Sequence, residues 1–410
     1  MKINIKRISI AFCLCICSFQ INSQDTLKIM YYNLLDFPIA QQDRIDTLKK
    51  ILNFVKPDVF VVNELTSFGG GVQIKNNALN VGGVNYYESA VFYDGPDTDN
   101  LLFYNSNKLG LVSQYQIPTV LRDISEYELY YKEPGMTSAS DTTYLYFYSL
   151  HLKAGSQQNE ADQRFVEAQA FKTYLDNNNR TNNLFVGGDF NFYQNTEQGC
   201  QEVLAGGSVV LNDPVNKMGL WHANFGYKAY HTQSTRMNQG YAGGAGGGMD
   251  DRFDFIFTTA DILNGSSGVL YIEDTYEAFG QDGNHFNGDV HIPTNTSVPM
   301  DISSALFYMS DHLPVCMDVA LGGTIGLMEQ NQLLEHFYLT NNQLNVGLKK
   351  VAKDLEVKIV DLSGKLVLNN NYFYESKINM QLNNLPSGIY IANVIADGVL
   401  TNFKFAYFEN

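Results

Sequence analysis

The sequence predicts an α/β sandwich of roughly 300 residues, with a small all-β domain after it. Three observations carry this prediction. From Thr26 to about Ala320, short apolar, β-prone runs alternate with helical patterns. Several of those runs stop at a short polar motif, as strands do when they deliver side chains to the edge of an open sheet. After Leu321-Gly322-Gly323 the pattern changes to brief alternating strands parted by glycine turns.

At the N-terminus, Lys2, Lys6 and Arg7 precede an apolar run, 8–19, that is too short to span a bilayer. Residues 1–24 therefore read as an export signal cleaved near Ser23 or Gln24. The first strand is 27–32. Residues 43–55 follow as an amphipathic helix, with Ile45, Leu48, Ile51, Leu52 and Val55 on one face, and Pro57 stops it. Residues 58–62, 101–104, 144–149, 184–186, 253–257 and 314–319 are further strands. Between two of them, Phe165, Ala168, Phe171 and Leu175 recur at helical spacing. The glycine-rich stretch 237–250 lacks the Gly-Lys-Ser/Thr ending of a phosphate loop and reads as a surface loop. The long polar stretch 275–309 reads as a rim of a substrate cleft. Residues 25–320 form the expected main domain, 321–330 a linker and 331–410 the all-β domain.

The chain has 410 residues, 45% hydrophobic and 17% charged, which describes a globular protein. Its net charge of −16 argues against a nucleic-acid binder working through a basic surface. A nuclease remains open, because a bound cation supplies positive charge locally. Outside the export segment only Cys200 and Cys316 remain, as a disulfide or as buried thiols.

Five motifs occur in order: Tyr32-Asn33, Asn63-Glu64, Leu150-His151-Leu152, Gly188-Asp189-Phe190-Asn191 and Ser310-Asp311-His312-Leu313-Pro314. Carboxylates, imidazoles and amides at strand ends suit phosphodiester hydrolysis. That reaction needs a base for water, positive charge on the phosphorus oxygens and help for the leaving oxygen. Glu64 reads as a ligand for a hard cation, against a solvated strand-end charge. Asp189 reads as the general base, against a turn cap, with Asn191 ready to orient a phosphate. Asp254 interrupts a strand, where a carboxylate needs a partner, a histidine or an Asn of the site. His151 alone would be a structural histidine; its place in the series makes it a site candidate. The Asp311-His312 pair is a local cap or a charged imidazole for the phosphate. Arg164 is a surface charge or a structural tie.

These residues resemble the endonuclease/exonuclease/phosphatase superfamily, the group of DNase I-like nucleases, abasic-site endonucleases, sphingomyelinases and inositol-polyphosphate phosphatases. Gly187-Gly188-Asp189-Phe190-Asn191 is the most specific match. Arg252-Phe253-Asp254-Phe255-Ile256 and Ser310-Asp311-His312-Leu313-Pro314-Val315 resemble its last two motifs. The resemblance implies a four-layer α/β/β/α sandwich and a divalent cation, Mg²⁺ first, with Mn²⁺ or Ca²⁺ as alternatives. It implies Asn33, Glu64 and Asp311 at the metal, and His151, Asp189, Asn191, Asp254 and His312 in catalysis. His312 would stabilise the phosphorane-like transition state. Some members carry an Asp where Leu35 stands here, and Glu88 corresponds to a glutamate that pairs the central histidine.

The last 80 or so residues resemble the C-terminal sorting domain of the type IX secretion system of Bacteroidetes, through 357–365, 385–390 and the closing strand 398–405. That implies the secretion machinery as a partner and placement at the cell surface or in the medium. The expected function is a secreted, metal-dependent phosphodiesterase, foremost a nuclease acting on DNA or RNA. A sphingomyelinase-like phospholipid phosphodiesterase is the alternative, and a non-catalytic surface-binding protein the third reading.

Overall fold

The structure is a computed structural model, which describes residues 25–39, 44–133, 142–239, 242–321, 334–340, 343–361, 364–382, 385–386 and 388–407. The expected export segment and nearly all of the expected linker lie outside the described residues. The elements run β1 (Asp25–Phe37), α1 (Arg44–Val55), β2 (Val59–Leu65), α2 (Phe68–Gln73), β3 (Tyr87–Ser89), β4 (Asp99–Asn105), β5 (Leu109–Ile117), β6 (Ile124–Tyr131) and β7 (Tyr144–His151). Then come α3 (Gln158–Asn177), β8 (Leu184–Asp189), α4 (Gln198–Ala205), β9 (Leu211–Asn212), β10 (Asp254–Thr259), α5 (Ala260–Asn264), β11 (Val269–Tyr271), β12 (Glu277–Ala278), α6 (Met300–Met309) and β13 (Val315–Leu321).

Two mixed sheets result. One has the order β11-β13-β1-β2-β4-β3 with β12 on β13; the other is β5-β6-β7-β8-β10-β9. They share one core, in which Ile29, Tyr31, Phe60 and Leu102 meet Tyr127, Phe147, Phe185 and Ile256. The sheets approach closely because Gly187 has no side chain: a Cβ there would lie 2.8 Å from the Tyr31 ring. The Tyr31 hydroxyl instead donates to the Phe185 carbonyl, 3.2 Å away. On the outer face of the first sheet, α1 and α6 bury Leu48, Ile51, Leu52, Leu306 and Met309. On the outer face of the second, α3 and α4 bury Ala168, Phe171, Leu175, Cys200 and Val203. The four layers are helix, sheet, sheet, helix, as expected. Cys200 and Cys316 are buried free thiols, so the disulfide reading is set aside.

Several elements depart from the sequence pattern. The β5–β6 pair was not expected, because β6 buries a carboxylate, Glu126, where an apolar residue would mark the face. Its charge is met by Arg180 at 3.0 Å and by the hydroxyls of Tyr148 and Tyr174. On α3 the buried face includes Arg164 and Glu167 in place of Phe165. Residues 275–309 are not all loop: Ile302, Ala305, Leu306 and Met309 repeat every three to four residues and form the buried face of α6.

The C-terminal region is one antiparallel sheet of β14 (Leu334–Thr340), β15 (Gln343–Asp361), β16 (Leu366–Gln381), β17 (Gly388–Ala396) and β18 (Val399–Tyr407). The long β15 pairs with β16 on one edge and with β14 and then β17 on the other. Val357 and Ile359 are buried in its core. Asp397 and Gly398, both at positive φ, make the tight β17–β18 hairpin.

Candidate active site

The polar motifs meet because of strand direction and register. The strands β1 and β2 are parallel, as are β7 and β8, so their C-terminal ends face one way. Asn33 stands beside Asn63 across β1 and β2. His151 stands beside Asp189 across β7 and β8, and Asp189 beside Asp254 across β8 and β10. Since β10 is antiparallel, its first residue lies level with the last residue of β8. Packing the sheets face to face then brings the two rows together.

Local backbone conformation aims the side chains. Leu35, Asp36, Glu64 and Asn191 are all at φ between 47° and 55°, a region that non-glycine residues seldom adopt. Such residues cluster at functional sites, where surrounding packing holds them. Gly188, at φ 124°, lets the Asp189 strand close on β7: a Cβ would lie 2.1 Å from the Leu150 carbonyl oxygen.

Ligand-type oxygens of Glu64 and Asp189 and a nitrogen of His151 all lie within 4.8 Å of one another. His151 Nε2 is 3.7 Å from Glu64 Oε1 and 3.6 Å from Asp189 Oδ2. Burial, with the charges of Arg122 and His312, holds His151 well below the usual histidine range, so its ring is neutral and able to ligate. Two carboxylates and a neutral imidazole at this spacing fit a divalent cation.

Asn33, expected as a ligand, is placed differently. Its Nδ2 donates to Glu64 Oε1 at 2.9 Å and to Asp189 Oδ2 at 3.1 Å, while its Oδ1 accepts from the Leu35 N–H. As placed, it holds the two carboxylates through its amide nitrogen, and its oxygen is turned to the Leu35 N–H. Asp311, also expected as a ligand, lies outside the compact trio. Its Oδ2 accepts from the Ala245 N–H at 2.7 Å and from the Gln233 amide at 3.2 Å.

His312 forms the other half of the site. Its Nδ1 is 2.8 Å from Asp254 Oδ2, and its Nε2 is 3.6 Å from Asp189 Oδ2. Burial acts to lower its pKa, but Asp254, Asp189 and Asp311 together hold it well above the usual range. It is an imidazolium at neutral pH. Burial pushes the Asp189 carboxyl up to about 7; Asp254 and Glu64 push the same way and His312 opposes them. Asn191 donates its backbone N–H to Asp189 Oδ1 at 3.0 Å and its side-chain amide to the Leu152 carbonyl.

The cleft encloses about 300 Å³ and is lined by Leu35, Asp36, Glu64, Asp97, Thr98, Arg122, His151, Ala154, Asp189, Asn191, Gln233, Gly244, Asp311 and His312. Gln233, whose amide lies 2.6 Å from His312 Nε2, was not expected, since no apolar strand precedes it. The glycine-rich stretch is no free surface loop, because Gly244 and Ala245 close on Asp311. Residues 275–309 contribute nothing to the lining. They brace that loop from behind, through Met249 N–H to Gly288 O and Val290 N–H to Thr235 O. Glu88, matched by resemblance to a histidine partner, is on the surface with Lys75 at 3.1 Å and does not reach His151. Arg164 is a structural tie: it donates to Glu197 and to the Lys153 and Gly155 carbonyls.

Fold and site together define a metal-dependent phosphoric ester hydrolase. Residues 30–312 match the profile of the Endonuclease/Exonuclease/phosphatase family, and the chain belongs to that family. Residues 340–405 match the Secretion system C-terminal sorting domain, which directs a chain to the cell surface or beyond it. Among the described residues no helix is long and apolar enough to cross a membrane. Solved structures similar to this chain include D. rerio TDP2 in complex with a single-strand DNA product (16% identity, 72% of this chain and 99% of that one, TM-score 0.48). Others are the human Nocturnin catalytic domain (16%, 73% and 98%, 0.43) and Staphylococcus aureus beta toxin (13%, 71% and 99%, 0.43). The comparison with curated proteins gives no match.

Proposed function

We propose that the protein is a secreted nuclease that hydrolyses DNA or RNA with Mg²⁺, Mn²⁺ or Ca²⁺. The carrying observation is that a cation-fitting trio, Glu64, His151 and Asp189, shares the Asp189 carboxylate with an imidazolium, His312, itself held by Asp254. A divalent cation held by the trio supplies Lewis-acid charge on the phosphate oxygens. Asp189, set between the trio and His312, takes the proton of the attacking water. Asn191 orients the phosphate. His312 places positive charge where negative charge grows on the transition state and gives a proton to the leaving oxygen. The P–O bond to water forms as the P–O bond to the leaving group breaks.

The sorting domain supports action outside the cell. The lipid alternative needs exposed aromatic residues on a protruding segment. Of the candidates for that role, Phe279 is 6% exposed, and Phe286 and Phe307 pack on Phe225 and His291.

The test is hydrolysis of plasmid DNA, RNA and sphingomyelin by the full chain, with each cation, against EDTA and Asp189→Asn. Cutting of nucleic acid that both controls abolish is expected. Cleavage of sphingomyelin alone overturns the nuclease reading.

A further inference from the structure

Four arginines are buried among the described residues: Arg44, Arg164, Arg236 and Arg252. Three of them have acceptors for their N–H groups. Arg164 donates to Glu197, Arg252 to Asp213, and Arg44 to the carbonyls of Leu34, Leu35 and Met309. Arg236 differs. It is 0% exposed, and no protein acceptor reaches its Nε, Nη1 or Nη2. Its guanidinium carbon lies 5.8 Å from the centroid of the Phe307 ring, near the limit of a cation–π contact.

A buried charge without hydrogen bonds opposes folding, and an apolar side chain of similar size would pack there more favourably. Burial holds this guanidinium below its ordinary pKa range, with Asp311 and Tyr32 pulling the other way. The fold by itself gives no reason for an arginine at this place. The site in front of it does.

The backbone sets Arg236 directly behind the cleft. Its segment runs beside Ser310-Asp311-His312-Leu313. Leu313 N–H donates to the Thr232 carbonyl, Gln233 bridges to His312, and Thr235 N–H donates to the Asp311 carbonyl at 3.0 Å. Gln233 lines the cleft, whereas Arg236 does not. Asp311 is the one carboxylate whose charge favours that of Arg236. The attraction acts through the buried interior, where charges interact strongly without touching.

Asp311 is in turn a junction. Its Oδ2 accepts from the Ala245 N–H at 2.7 Å and from the Gln233 amide at 3.2 Å, and that amide lies 2.6 Å from His312 Nε2. Whatever fixes the Asp311 carboxylate in one orientation also fixes the glycine-rich loop, Gln233 and His312.

We propose that Arg236 is a positioning residue: its buried charge anchors Asp311, and through Asp311 it holds Gln233 and His312 in place, while destabilising the fold. This rests on the hydrolase reading of the cleft and on no particular substrate. No covalent step is assigned to Arg236.

The test is a double-mutant cycle in the full chain: Arg236→Met, Asp311→Asn and the pair, with Arg236→Lys beside them. Methionine fills similar space and removes the charge. Circular dichroism reads the melting temperature. Steady-state kinetics reads kcat and KM on whichever of plasmid DNA, RNA and sphingomyelin the wild type cleaves. Arg236→Met should melt no lower than the wild type, with kcat lowered about tenfold or more and KM within about threefold. Arg236→Lys, which keeps a charge, should recover part of kcat. In the Asp311→Asn background, Arg236→Met should change kcat by less than about threefold and raise the melting temperature, because the guanidinium there has lost its counter-charge.

A melting temperature of Arg236→Met well below the wild type, or a failure of that chain to fold, overturns the proposal in favour of a structural tie. Equal kcat losses in both backgrounds overturn the route through Asp311. Unchanged kcat and melting overturn it in favour of a bystander. A wild-type chain that cleaves none of the three substrates overturns the substrate reading. The melting cycle then decides alone, and additive shifts in it overturn the proposal, so the two failures are distinct.

Discussion

Asp254 Oδ2 lies 2.8 Å from His312 Nδ1, at the start of a strand whose register sets it abreast of Asp189. The imidazole is therefore fixed at one nitrogen, and the other lies 2.6 Å from the Gln233 amide and 3.6 Å from the Asp189 carboxylate. Asp254→Asn keeps the shape and removes the charge that keeps His312 protonated. We expect kcat to fall by about 10²- to 10⁴-fold with the melting temperature nearly unchanged. Steady-state kinetics and circular dichroism melts check this; a variant as active as the wild type removes His312 from catalysis.

Asn33 ties Glu64 to Asp189 through both N–H bonds of one amide. Without it the two carboxylates repel each other and lose their spacing. For Asn33→Ala we expect divalent-cation affinity to drop about 10- to 100-fold, as when a ligand loses its outer partner. Titration calorimetry with Mn²⁺ is the measurement, and an unchanged Kd contradicts the role.

Proton and cation compete at Asp189. Its carboxyl, pushed up to about 7 mainly by burial, holds a proton below that pH when no cation is bound. Cation binding must expel this proton, so affinity weakens as pH falls below about 7, by at most about tenfold per unit. Calorimetry in buffers of different ionisation enthalpy should show close to one proton released per site at pH 6 and almost none at pH 8. Equal release at both pH values counts against this carboxyl.

Arg164 and Glu197 are 1% and 9% exposed and 2.7 Å apart. Truncating the arginine leaves a buried carboxylate without its partner. We expect Arg164→Ala to destabilise the protein by about 3–5 kcal/mol, read by denaturant unfolding. A loss below about 1 kcal/mol would return Arg164 to the status of a surface charge.

Apart from metal and pH, the protein's net charge of −16 gives a simple outcome for binding. DNA association should be weak in EDTA and tighten with a non-cleaving concentration of Ca²⁺, measured by fluorescence anisotropy with Asp189→Asn. Equal affinity in both conditions would place the DNA contact away from the acidic cleft.

Much of the site was legible because strands that end in a polar residue advertise the edge of a sheet. Val59-Phe60-Val61-Val62 before Asn63-Glu64, and Leu184-Phe185-Val186 before Gly187-Gly188-Asp189, are patterns of this kind. Gln233 and Ala245 gave no such signal, since they reach the site from irregular segments that are placed by long-range hydrogen bonds. Arg164 offered two readings until Glu197, 33 residues away, was seen beside it. The strand β6 was hidden by Glu126, whose burial depends on Arg180 and two tyrosines from other elements.

By itself the sequence determined the alternation of strands and helices, the glycine-punctuated all-β end and the residue types at the strand ends. These follow from local periodicity and side-chain chemistry, which act over a few residues. Only the tertiary structure decided which atoms meet: His151, Asp189 and Asp254 abreast through strand register, Asn33 turned onto two carboxylates, and Arg122 facing the cleft. Those contacts join residues 31 to 156 positions apart, and no short-range pattern encodes such a pairing.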